Sequence, residues 1–381
     1  MPENAARPNH QDDPGAVQRQ AWADNVLPPV ERVAPGLWSI PVPIPDSPLR
    51  YVLVYAFELD DGVAIVDAGW DTEDAWLALT EGLVTIGASV QDVRAVLVTH
   101  IHPDHYGLAG RVREASGAWV GLHPADAELI GERYEDVYPL LEKTRALLRS
   151  CGVPDKEAAD LAESSVPLRF WVQTVRPDRL ISDGDRLELP GWDLQAIWTP
   201  GHSPGHLCFV EQERRLLLTG DCVLPRISPN VGVHPQQRPN PLAEFLDSLQ
   251  RLGRYDPELV LPAHEYRFVD LHGRLDALAT HHEHRLDEIL ARVIAEPGIT
   301  CWQLTEQMQW SRPWSQINGF MRRAANGETL AHLELLSHQG RVERLAGTPI
   351  TWVPGPVSRG PELAGSGPGL RRTSGSLPGC C

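Results

Sequence analysis

The chain has 381 residues, of which 42% are hydrophobic and 22% are charged, and its formal net charge at pH 7 is −17. Its length is enough for two domains with a sizeable core, and its acidic excess argues against a nucleic-acid-binding surface, which normally carries a basic patch. Because apolar runs stay well short of the ~20 residues that cross a membrane and the polar N-terminus lacks a secretion signal, the sequence predicts a cytoplasmic protein without membrane contact.

The first part of the chain alternates hydrophobic runs with turn residues. Residues 1–20 are polar and rich in Pro, Asn and Asp, and we expect a disordered or loosely attached arm over residues 1–30. The pattern then predicts strands over Leu37–Val42, Tyr51–Glu58 and Val63–Asp67, a helix over Thr72–Ile86 and a strand over Ala95–Thr99. This succession of strands and a helix indicates a mixed α/β fold.

Two later segments have the apolar spacing of helices. Between residues 127 and 178, a long charged segment has a helical period, with Tyr138, Leu141 and Leu148 on its partly apolar face. Further along, Asn240 and Pro241 are typical of a helix start, and apolar residues recur after them at helical spacing.

The segment from Thr99 to Gly107 concentrates side chains that bind metal ions. It directly follows an apolar run, residues 95–98, that has the character of a buried strand. Its four potential ligands are His100, His102, Asp104 and His105. A strand that ends in such a cluster delivers its side chains at the sheet edge, where α/β folds place their sites. A metal site is therefore favoured over a solvated polar loop.

Three further segments place a ligand-type side chain just past an apolar run. The turn-rich segment 198–206 presents His202 and His206, and the runs 216–220 and 259–263 lead to Asp221 and His264. Since each of these side chains follows a predicted strand, one sheet edge can gather all of them.

The order of these side chains resembles the metallo-β-lactamase superfamily over roughly residues 32–270. The resemblance implies a four-layer αββα sandwich over residues 31–271 that holds two metal ions. The first ion would be held by His100, His102 and His202, and the second by Asp104, His105 and His264, with Asp221 bridging both. His206 would pack or hydrogen-bond without binding metal. Imidazole and carboxylate donors suit zinc, so two Zn²⁺ per chain are expected, with iron or manganese as alternatives.

These ligands predict hydrolytic chemistry. A divalent ion lowers the pKa of bound water from ~15.7 to about 7, so that hydroxide is available to attack a carbonyl or phosphoryl group. Asp104 is the candidate for moving a proton, and the resemblance implies that Asp67 hydrogen-bonds the ligand loop. A related di-iron oxidoreductase branch carries glutamate at the position of His102, so a hydrolase is favoured. An iron-dependent persulfide dioxygenase remains an alternative.

The substrate is less well defined than the site. We expect a small acyl thioester, ester or lactone, with a metal-dependent ribonuclease or phosphodiesterase and a β-lactam hydrolase as alternatives. The loop 199–206 is similar to that of hydroxyacylglutathione hydrolases, but their glutathione-binding C-terminal region is not recognisable here. In this fold a helical insertion such as 127–178 often overhangs the metal site. Its candidates for substrate contact are Tyr134, Tyr138, Phe170 and Trp171, and packing is the alternative role for each.

The region 272–353 differs in composition from the part before it. A long amphipathic helix over Arg274–Ala295, two further helical stretches and a hairpin resemble the winged-helix-like domain of some metallo-β-lactamase-fold hydrolases. Residues 275–344 contain nine Asp and Glu against seven Arg and no Lys, which favours packing or homodimerisation over nucleic-acid binding. The remaining segment 354–381 is rich in Gly, Pro and Ser and is expected to be disordered.

Overall fold

The computed structural model describes residues 13–164 and 166–356 of the chain. Its helices are α1 (Ala16–Asp24), α2 (Glu73–Thr85), α3 (Pro103–Tyr106), α4 (Ala109–Ser116), α5 (Pro124–Ala127), α6 (Tyr138–Ser150), α7 (Asp155–Glu163), α8 (Pro241–Leu252), α9 (Leu271–Ala295), α10 (Cys301–Gln307) and α11 (Gly319–His338). Its strands are β1 (Glu31–Ala34), β2 (Leu37–Pro43), β3 (Tyr51–Leu59), β4 (Gly62–Val66), β5 (Val93–Leu97), β6 (Trp119–Leu122), β7 (Arg179–Leu180), β8 (Arg186–Leu189), β9 (Trp192–Trp198), β10 (Leu207–Glu211), β11 (Leu216–Gly220), β12 (Leu259–Pro262), β13 (Ile299–Thr300), β14 (Val342–Leu345) and β15 (Thr351–Pro354).

Two sheets form the centre of the described structure. In the first, β1 to β7 lie in chain order, with antiparallel pairs up to β4 and parallel pairs from β4 to β7. In the second, the order is β12-β11-β10-β9-β8, and only the β11–β12 pair is parallel. The predicted strands of the first sheet agree with the observed ones to within two residues at each end. Helix α2 begins after Thr72, whose hydroxyl caps it by accepting from the Ala75 backbone N–H.

The alternation of side chains along β3 shows how the layers are built. Leu53 and Phe57 point into the cluster between the two sheets, together with Phe209 of β10. The intervening Val54 joins the cluster beneath α2, which includes Leu79. Because every strand of a two-sheet core has two faces to bury, β3 is apolar along most of its length. With α8 packed on the outer face of the second sheet, the layers run helix, sheet, sheet, helix, and the predicted α/β sandwich is confirmed.

The N-terminal arm differs from the expected disorder over residues 13–30. Helix α1 buries the Trp22 indole, which meets the Tyr51 ring edge-on with 5.7 Å between ring centroids. The buried Gln18 amide donates to Ser39 Oγ at 3.1 Å and accepts from the Arg267 backbone N–H at 2.9 Å. The prediction is therefore wrong for this part of the arm, because one indole and one fully bonded amide attach a segment whose average composition is polar. Residues 1–12 lie outside the described residues.

The helical insertion and the C-terminal region share a buried cluster with the second sheet. Leu148 of α6, Leu161 of α7, Phe245 of α8, Leu286 of α9 and Leu333 of α11 all belong to it. The C-terminal elements follow in the order α9, β13, α10, α11, β14, β15, and their strands form a sheet of order β13-β15-β14. The winged-helix-like character of this region stays a prediction, and most of the predicted disordered tail, 357–381, lies outside the described residues. Within the described part of the chain, the helices are too short or too polar to span a bilayer.

Two buried histidines connect α9 to α11. His282 Nδ1 lies 3.1 Å from His332 Nε2, and His332 Nδ1 donates to the Glu328 carbonyl at 2.7 Å. Burial, followed by the neighbouring imidazole, lowers the pKa of His282 to about 3, and burial lowers that of His332 to about 4. Positively charged Arg285 acts in the same direction on both rings. The pair is therefore neutral in the folded protein at pH values where an unfolded chain would protonate it.

Because His282 and His332 are buried as neutral rings, the protein is expected to become less stable in mild acid. Since the folded-state pKa values lie below the ordinary value of 6.5, the unfolded chain binds more protons as the pH falls from about 6.5 towards 4, and the free energy of unfolding decreases. In the wild type, the free energy of unfolding should be lower at pH 5 than at pH 7. Replacing His282 with Gln is expected to make that difference smaller by about 1–2 kcal/mol. Urea unfolding at both pH values measures this, with exposed His338→Asn as the control. An unchanged pH dependence in His282→Gln would contradict the assignment.

Candidate metal centre

The candidate ligands come from four chain segments that meet at one edge of the two sheets. The loop after β5 and the short helix α3 supply His100, His102, Asp104 and His105. His202 lies in the turn between β9 and β10, and Asp221 and His264 follow β11 and β12. The strands thus place all seven predicted ligand-type side chains together, as three overlapping groups of ligand atoms show.

The first group contains three imidazoles. His102 Nδ1 lies 2.9 Å from His100 Nε2 and 3.0 Å from His202 Nε2. Asp221 Oδ2 lies 3.5 Å from His202 Nε2. A carboxylate oxygen therefore completes a set of four donors on this side of the site.

The second group combines two imidazoles with two carboxylates. His264 Nε2 lies 3.2 Å from Asp221 Oδ1 and 3.4 Å from Asp104 Oδ2. His105 Nε2 lies 3.6 Å from each of the same two oxygens. Tetrahedral donors at ~2.0–2.2 Å from a zinc ion would be separated by about 3.3–3.6 Å, which agrees with this spacing. Asp221 lies between the two groups, because its Oδ2 faces His202 of the first group and its Oδ1 faces His264 of the second.

Three buried atoms of the second group have no hydrogen-bond partner among the described residues. They are His105 Nε2, His264 Nε2 and Asp221 Oδ1. An unsatisfied buried polar atom costs about 1–3 kcal/mol, so three of them facing one another need a partner that the protein itself does not supply. A divalent cation is the partner that suits two imidazole nitrogens and a carboxylate oxygen, and the residues present therefore fit a metal ion.

The other ring nitrogen of each buried histidine is held by an acceptor. His105 Nδ1 donates to Asp67 Oδ2, and His264 Nδ1 donates to the Tyr51 carbonyl, both at 2.8 Å. His202 Nδ1 donates to the Asn230 carbonyl at 2.9 Å. These bonds place the proton on Nδ1 and leave the Nε2 lone pair directed at the site, as a metal ligand requires.

Asp67 organises the start of the ligand loop. Its Oδ1 accepts from the Thr99 backbone N–H at 2.8 Å, and both carboxylate oxygens lie 3.0 Å from the Thr99 hydroxyl. The hydroxyl donates to this carboxylate and can accept from His100 Nδ1, 3.0 Å away. Asp67 adopts a positive φ of 64°, a conformation that aspartate tolerates better than most residues. It thus touches the ligand loop and holds two ligands in orientation, but it does not face the reacting groups.

Electrostatics divides the ligands into two classes. Burial, reinforced by neighbouring histidines, lowers the pKa of His100 and His102 well below the ordinary value. These rings are therefore neutral and can offer a lone pair to a metal ion. Burial would also lower the pKa of His105 and His264, but nearby carboxylates outweigh it and raise both. Conversely, those imidazoles outweigh burial at Asp221 and lower its pKa. Two carboxylates around two imidazoles thus favour positive charge at this place, which is what a bound cation would supply.

His206 has the role that the resemblance implies, since it hydrogen-bonds beside the site. Its Nε2 accepts from the Asp221 backbone N–H at 3.1 Å, and its Nδ1 lies 2.8 Å from the Thr199 hydroxyl. Gly220, the last residue of β11, turns the chain towards Asp221 with a φ of 48°, and a Cβ there would lie 2.7 Å from His206 Nε2. Glycine is therefore required for the close approach that positions Asp221.

Sequence reasoning missed Asp126, which connects the two ligand loops. Its carboxylate is buried and accepts from the backbone N–H groups of Ile101 and Gly205 at 2.9 and 2.7 Å and from the Ser203 hydroxyl at 2.9 Å. Ile101 lies between two ligands of the first loop, and Ser203 directly follows His202. No local motif marks Asp126 in the sequence, since its partners lie 25 to 79 residues away.

Removing this connection is expected to weaken the fold. Asp126→Ala leaves three buried donors unsatisfied, at about 1–3 kcal/mol each, so the free energy of unfolding should fall by roughly 3 kcal/mol or more. Ser203→Ala removes one donor together with its bond and should cost about 1 kcal/mol. Urea unfolding of both variants gives the comparison. Equal losses in the two variants would show that the bonds to Ile101 and Gly205 contribute nothing.

The four predicted substrate contacts occupy different environments. Tyr134 is buried, its hydroxyl donates to the Ile101 carbonyl at 2.5 Å and its ring stacks on Tyr106, which favours a packing role. Tyr138 and Phe170 are largely exposed, at 73% and 68%. The ring centroids of Trp171 and Trp70 are 6.2 Å apart. The Trp171 backbone carbonyl accepts from the backbone N–H of Asp71, the residue that follows Trp70. Contact of these last three with substrate stays a prediction.

A two-sheet α/β sandwich with a histidine and aspartate cluster at one sheet edge defines a class of metal-dependent hydrolases. The family model of the metallo-β-lactamase superfamily matches residues 47–264, more than half of the chain, and the protein belongs to this superfamily. The predicted membership is therefore confirmed, and the protein is a metal-dependent hydrolase.

Related proteins agree with this assignment. The probable metallo-hydrolase YqjP of Bacillus subtilis is 25% identical over 287 residues, or 71% of this chain and 84% of its own length. The lactamase-like protein vrtG of Penicillium aethiopicum is 33% identical over 39% of this chain, which spans less than half, 46%, of that protein. Among solved structures, a metallo-beta-lactamase family protein from Thermus thermophilus is 35% identical, with a TM-score of 0.75 over 85% of this chain and 100% of its own. A beta-lactamase domain protein from Burkholderia ambifaria is 28% identical, with a TM-score of 0.73 over 86% and 94%.

Proposed function

We propose that the protein is a dinuclear, zinc-dependent hydrolase of small acyl substrates, cleaving a thioester, ester or lactone at the carbonyl carbon. The observation that supports two ions is Asp221, whose Oδ1 lies 3.2 Å from His264 Nε2 and whose Oδ2 lies 3.5 Å from His202 Nε2. One carboxylate thus faces two complete donor sets, and its Oδ1 is unsatisfied within the described chain.

The chain's own residues would bind and orient the reacting groups. His100, His102 and His202 would hold one ion, and Asp104, His105 and His264 the other, with Asp221 shared. Zinc bound by these residues would supply hydroxide at neutral pH, by lowering the pKa of a bound water to about 7, and would polarise the substrate oxygen. Of the second set, His105 and His264 are fully buried, whereas the Asp104 side chain is 13% exposed. Within the second set, Asp104 is therefore the ligand best placed to pass a proton between the site and solvent.

The choice of metal follows from the donor types. Imidazole and carboxylate donors at roughly tetrahedral spacing suit zinc, and iron and manganese accept the same donors. His102 stands where the related di-iron oxidoreductases carry glutamate, which favours hydrolysis over redox chemistry. The substrate assignment rests on the acidic composition of the chain, which disfavours RNA, and on the helical insertion beside the site, which suits a compact substrate.

Metal analysis and a substrate panel test the proposal together. The purified protein is expected to contain about two zinc ions per chain by mass spectrometry, and to hydrolyse members of a panel of acyl thioesters, esters and lactones. His102→Ala should lose this turnover, whereas exposed His272→Ala should keep it. Stoichiometric iron with no hydrolysis would overturn the proposal in favour of sulfur oxygenation. Preferential cleavage of single-stranded RNA or of a β-lactam would overturn the acyl assignment.

A further inference from the structure

The loop between β11 and α8, residues 221–240, contacts the metal centre at three places. It begins with Asp221, which faces both donor sets. Further along, the Asn230 carbonyl accepts from His202 Nδ1, and Gln237 Nε2 donates to the backbone carbonyl that precedes His202, both at 2.9 Å. All residues of this loop are described, and none of them forms part of a helix or strand. The position of such a loop is set by the elements that it touches.

Helix α11 fixes the middle of this loop through its backbone. The Val233 N–H donates to the Gly327 carbonyl at 3.0 Å. Nearby, the Asn230 side-chain amide approaches the Ala324 carbonyl at 3.4 Å. A Cβ on Gly327 would lie 3.0 Å from the Val233 carbonyl oxygen, and a Cβ on Gly232 would lie 3.1 Å from the Gly327 carbonyl carbon. The backbones of the loop and the helix therefore meet at a distance that depends on glycine in both.

Helix α9 holds the first half of the loop through an arginine. Arg274 Nε donates to the Leu224 carbonyl at 2.6 Å, and its Nη2 donates to the Ile227 carbonyl at 2.7 Å. Because the guanidinium is charged, both bonds are of the charge-assisted kind, which is stronger than a bond between neutral groups. The loop segment between Asp221 and Asn230 is therefore attached to the C-terminal region at two backbone oxygens.

A directed chain of hydrogen bonds runs from α11 through α9 to Ser228 in the same loop. His332 Nδ1 donates to the Glu328 carbonyl at 2.7 Å, so the neutral His332 ring has its lone pair on Nε2. That nitrogen accepts from His282 Nδ1, 3.1 Å away, which leaves His282 Nε2 as an acceptor. The Ser228 hydroxyl lies 3.3 Å from His282 Nε2 and donates to it, while its alternative acceptor, the Pro229 carbonyl, lies at 3.4 Å. The buried histidine pair thus ends in a bond to the loop.

The acceptors behind the second donor set belong to the sandwich instead. His264 Nδ1 donates to the Tyr51 carbonyl in β3 at 2.8 Å. His105 Nδ1 donates at the same distance to Asp67, which follows β4. The two donor sets therefore differ in what orients their histidines. His202 of the first set depends on a loop attached to the C-terminal region, and the second set depends on the first sheet.

We propose that the C-terminal region positions His202 for the first metal ion, because α9 and α11 fix the loop whose Asn230 carbonyl orients the ring. In this role Gly327 and Ser228 are positioning residues, which act through the loop and are not metal ligands. The inference rests on the proposed dinuclear function and adds that one of the two ions depends on the C-terminal region. Changes to the groups that orient a metal-bound histidine typically alter metal affinity by about 10–100-fold, so the effect is measurable.

Single-ion variants measure each donor set separately. His264→Ala removes a donor of the second set and leaves the first to bind zinc, and His102→Ala does the reverse. Zinc affinity is measured by competition with a chelator of known affinity. Adding Gly327→Ala, whose new Cβ presses on the loop, is expected to weaken zinc binding about tenfold in the His264→Ala protein and less than about twofold in the His102→Ala protein. Equal weakening in both proteins, or none in either, would overturn the proposal.

A milder variant covers the case in which Gly327→Ala does not fold. Ser228→Ala removes the hydroxyl that reaches His282, and it should weaken the first ion about threefold, whereas Ser228→Thr should restore the affinity. Val342→Ala is the control, because it removes a buried side chain from β14 of the C-terminal sheet and leaves the hydrogen bonds of the loop in place. Both zinc affinities should stay unchanged in that control. A weaker first ion in Val342→Ala would show a general loss of stability and contradict a positioning role.

The zinc-free protein separates failure of this inference from failure of the proposed function. With isotope-labelled histidine, NMR follows the Nδ1 protons of His202 and His264, which His202→Asn and His264→Ala assign. Gly327→Ala or Ser228→Ala is expected to speed the exchange of the His202 proton with water and to leave the His264 proton unchanged. An unchanged His202 proton in both variants would refute the inference. Fewer than two zinc ions in the wild type would instead overturn the proposed function, and the NMR comparison would still decide this inference.

Discussion

Replacing Asp221 with alanine is expected to reduce bound zinc from about two ions per chain to less than one and to lower hydrolysis by more than about a thousandfold. The reason is geometric: the Asp221 carboxylate directs Oδ2 to His202 of the first donor set and Oδ1 to His264 of the second. In the proposed dinuclear centre its loss would remove one donor from each set and also negative charge that would offset the charge of two cations. Mass spectrometry of the purified variant measures the zinc, and initial rates on the preferred substrate measure the hydrolysis.

Variants that disturb one set of donors provide the comparison. His102→Ala removes a donor of the first group and His264→Ala one of the second, so each is expected to retain about one zinc ion per chain. Asp193→Ala removes an exposed carboxylate that pairs with Arg186, and it should keep both ions and full activity. Retention of two ions in Asp221→Ala would show that the two sets bind independently, and the shared-carboxylate arrangement would be wrong.

The candidate ligands could be predicted from the sequence because their signal is local. His100, His102, Asp104 and His105 lie within six residues directly after an apolar strand, and each later ligand also follows a strand or a turn. Strand ends of an α/β sandwich meet at one edge, so local patterns were enough to predict where side chains far apart in the chain would meet. The four-layer fold followed from the resemblance together with the alternation of strands and helices.

The surroundings of the ligands could not be predicted in the same way. The partners of His202 and His264 are backbone carbonyls, of Asn230 and Tyr51, and every residue carries such a group. Asp126 has three partners in two distant loops, and nothing in its own neighbourhood marks it. Asp67 was found because it ends a strand of the expected pattern. Residues that act through long-range hydrogen bonds therefore become visible only when the loops are placed in three dimensions.

Charge counting over the C-terminal region also missed the arrangement of its side chains. An acidic balance over 275–344 describes the surface as a whole, but Arg323 of this region is held against the end of α7, where its guanidinium approaches the carbonyls of Leu161 and Ala162. A region of acidic average composition can thus place a basic side chain against the helical insertion. The average disfavours a broad nucleic-acid surface, which stays a prediction, and it contains no information about the contacts of a single side chain.

Truncating the chain after residue 271 is expected to prevent stable folding of the remaining part. The C-terminal region covers apolar side chains of α8, the helix on the outer face of the second sheet. Phe245 and Leu252 of α8 belong to the same buried cluster as three residues of α9 and α11, which are Leu286, Ile289 and Leu333. Uncovering a buried Leu, Ile or Phe costs about 1.5–3 kcal/mol, and several together approach the 5–15 kcal/mol by which whole proteins are stable. The truncated chain should therefore lack a cooperative melting transition in calorimetry.

A point substitution distinguishes one folding unit from two. Ile289 is 1% exposed, and Ile289→Ala should cost about 2–5 kcal/mol and lower the midpoint of a single transition of the entire chain. Arg341→Ala, which removes a surface pair with Asp287, should leave that transition in place. If melting instead shows two transitions and Ile289→Ala shifts only the lower one, the C-terminal region folds as an independent domain, as the sequence suggests. A single shifted transition would mean that the C-terminal region and the sandwich unfold as one unit, because they share one buried core.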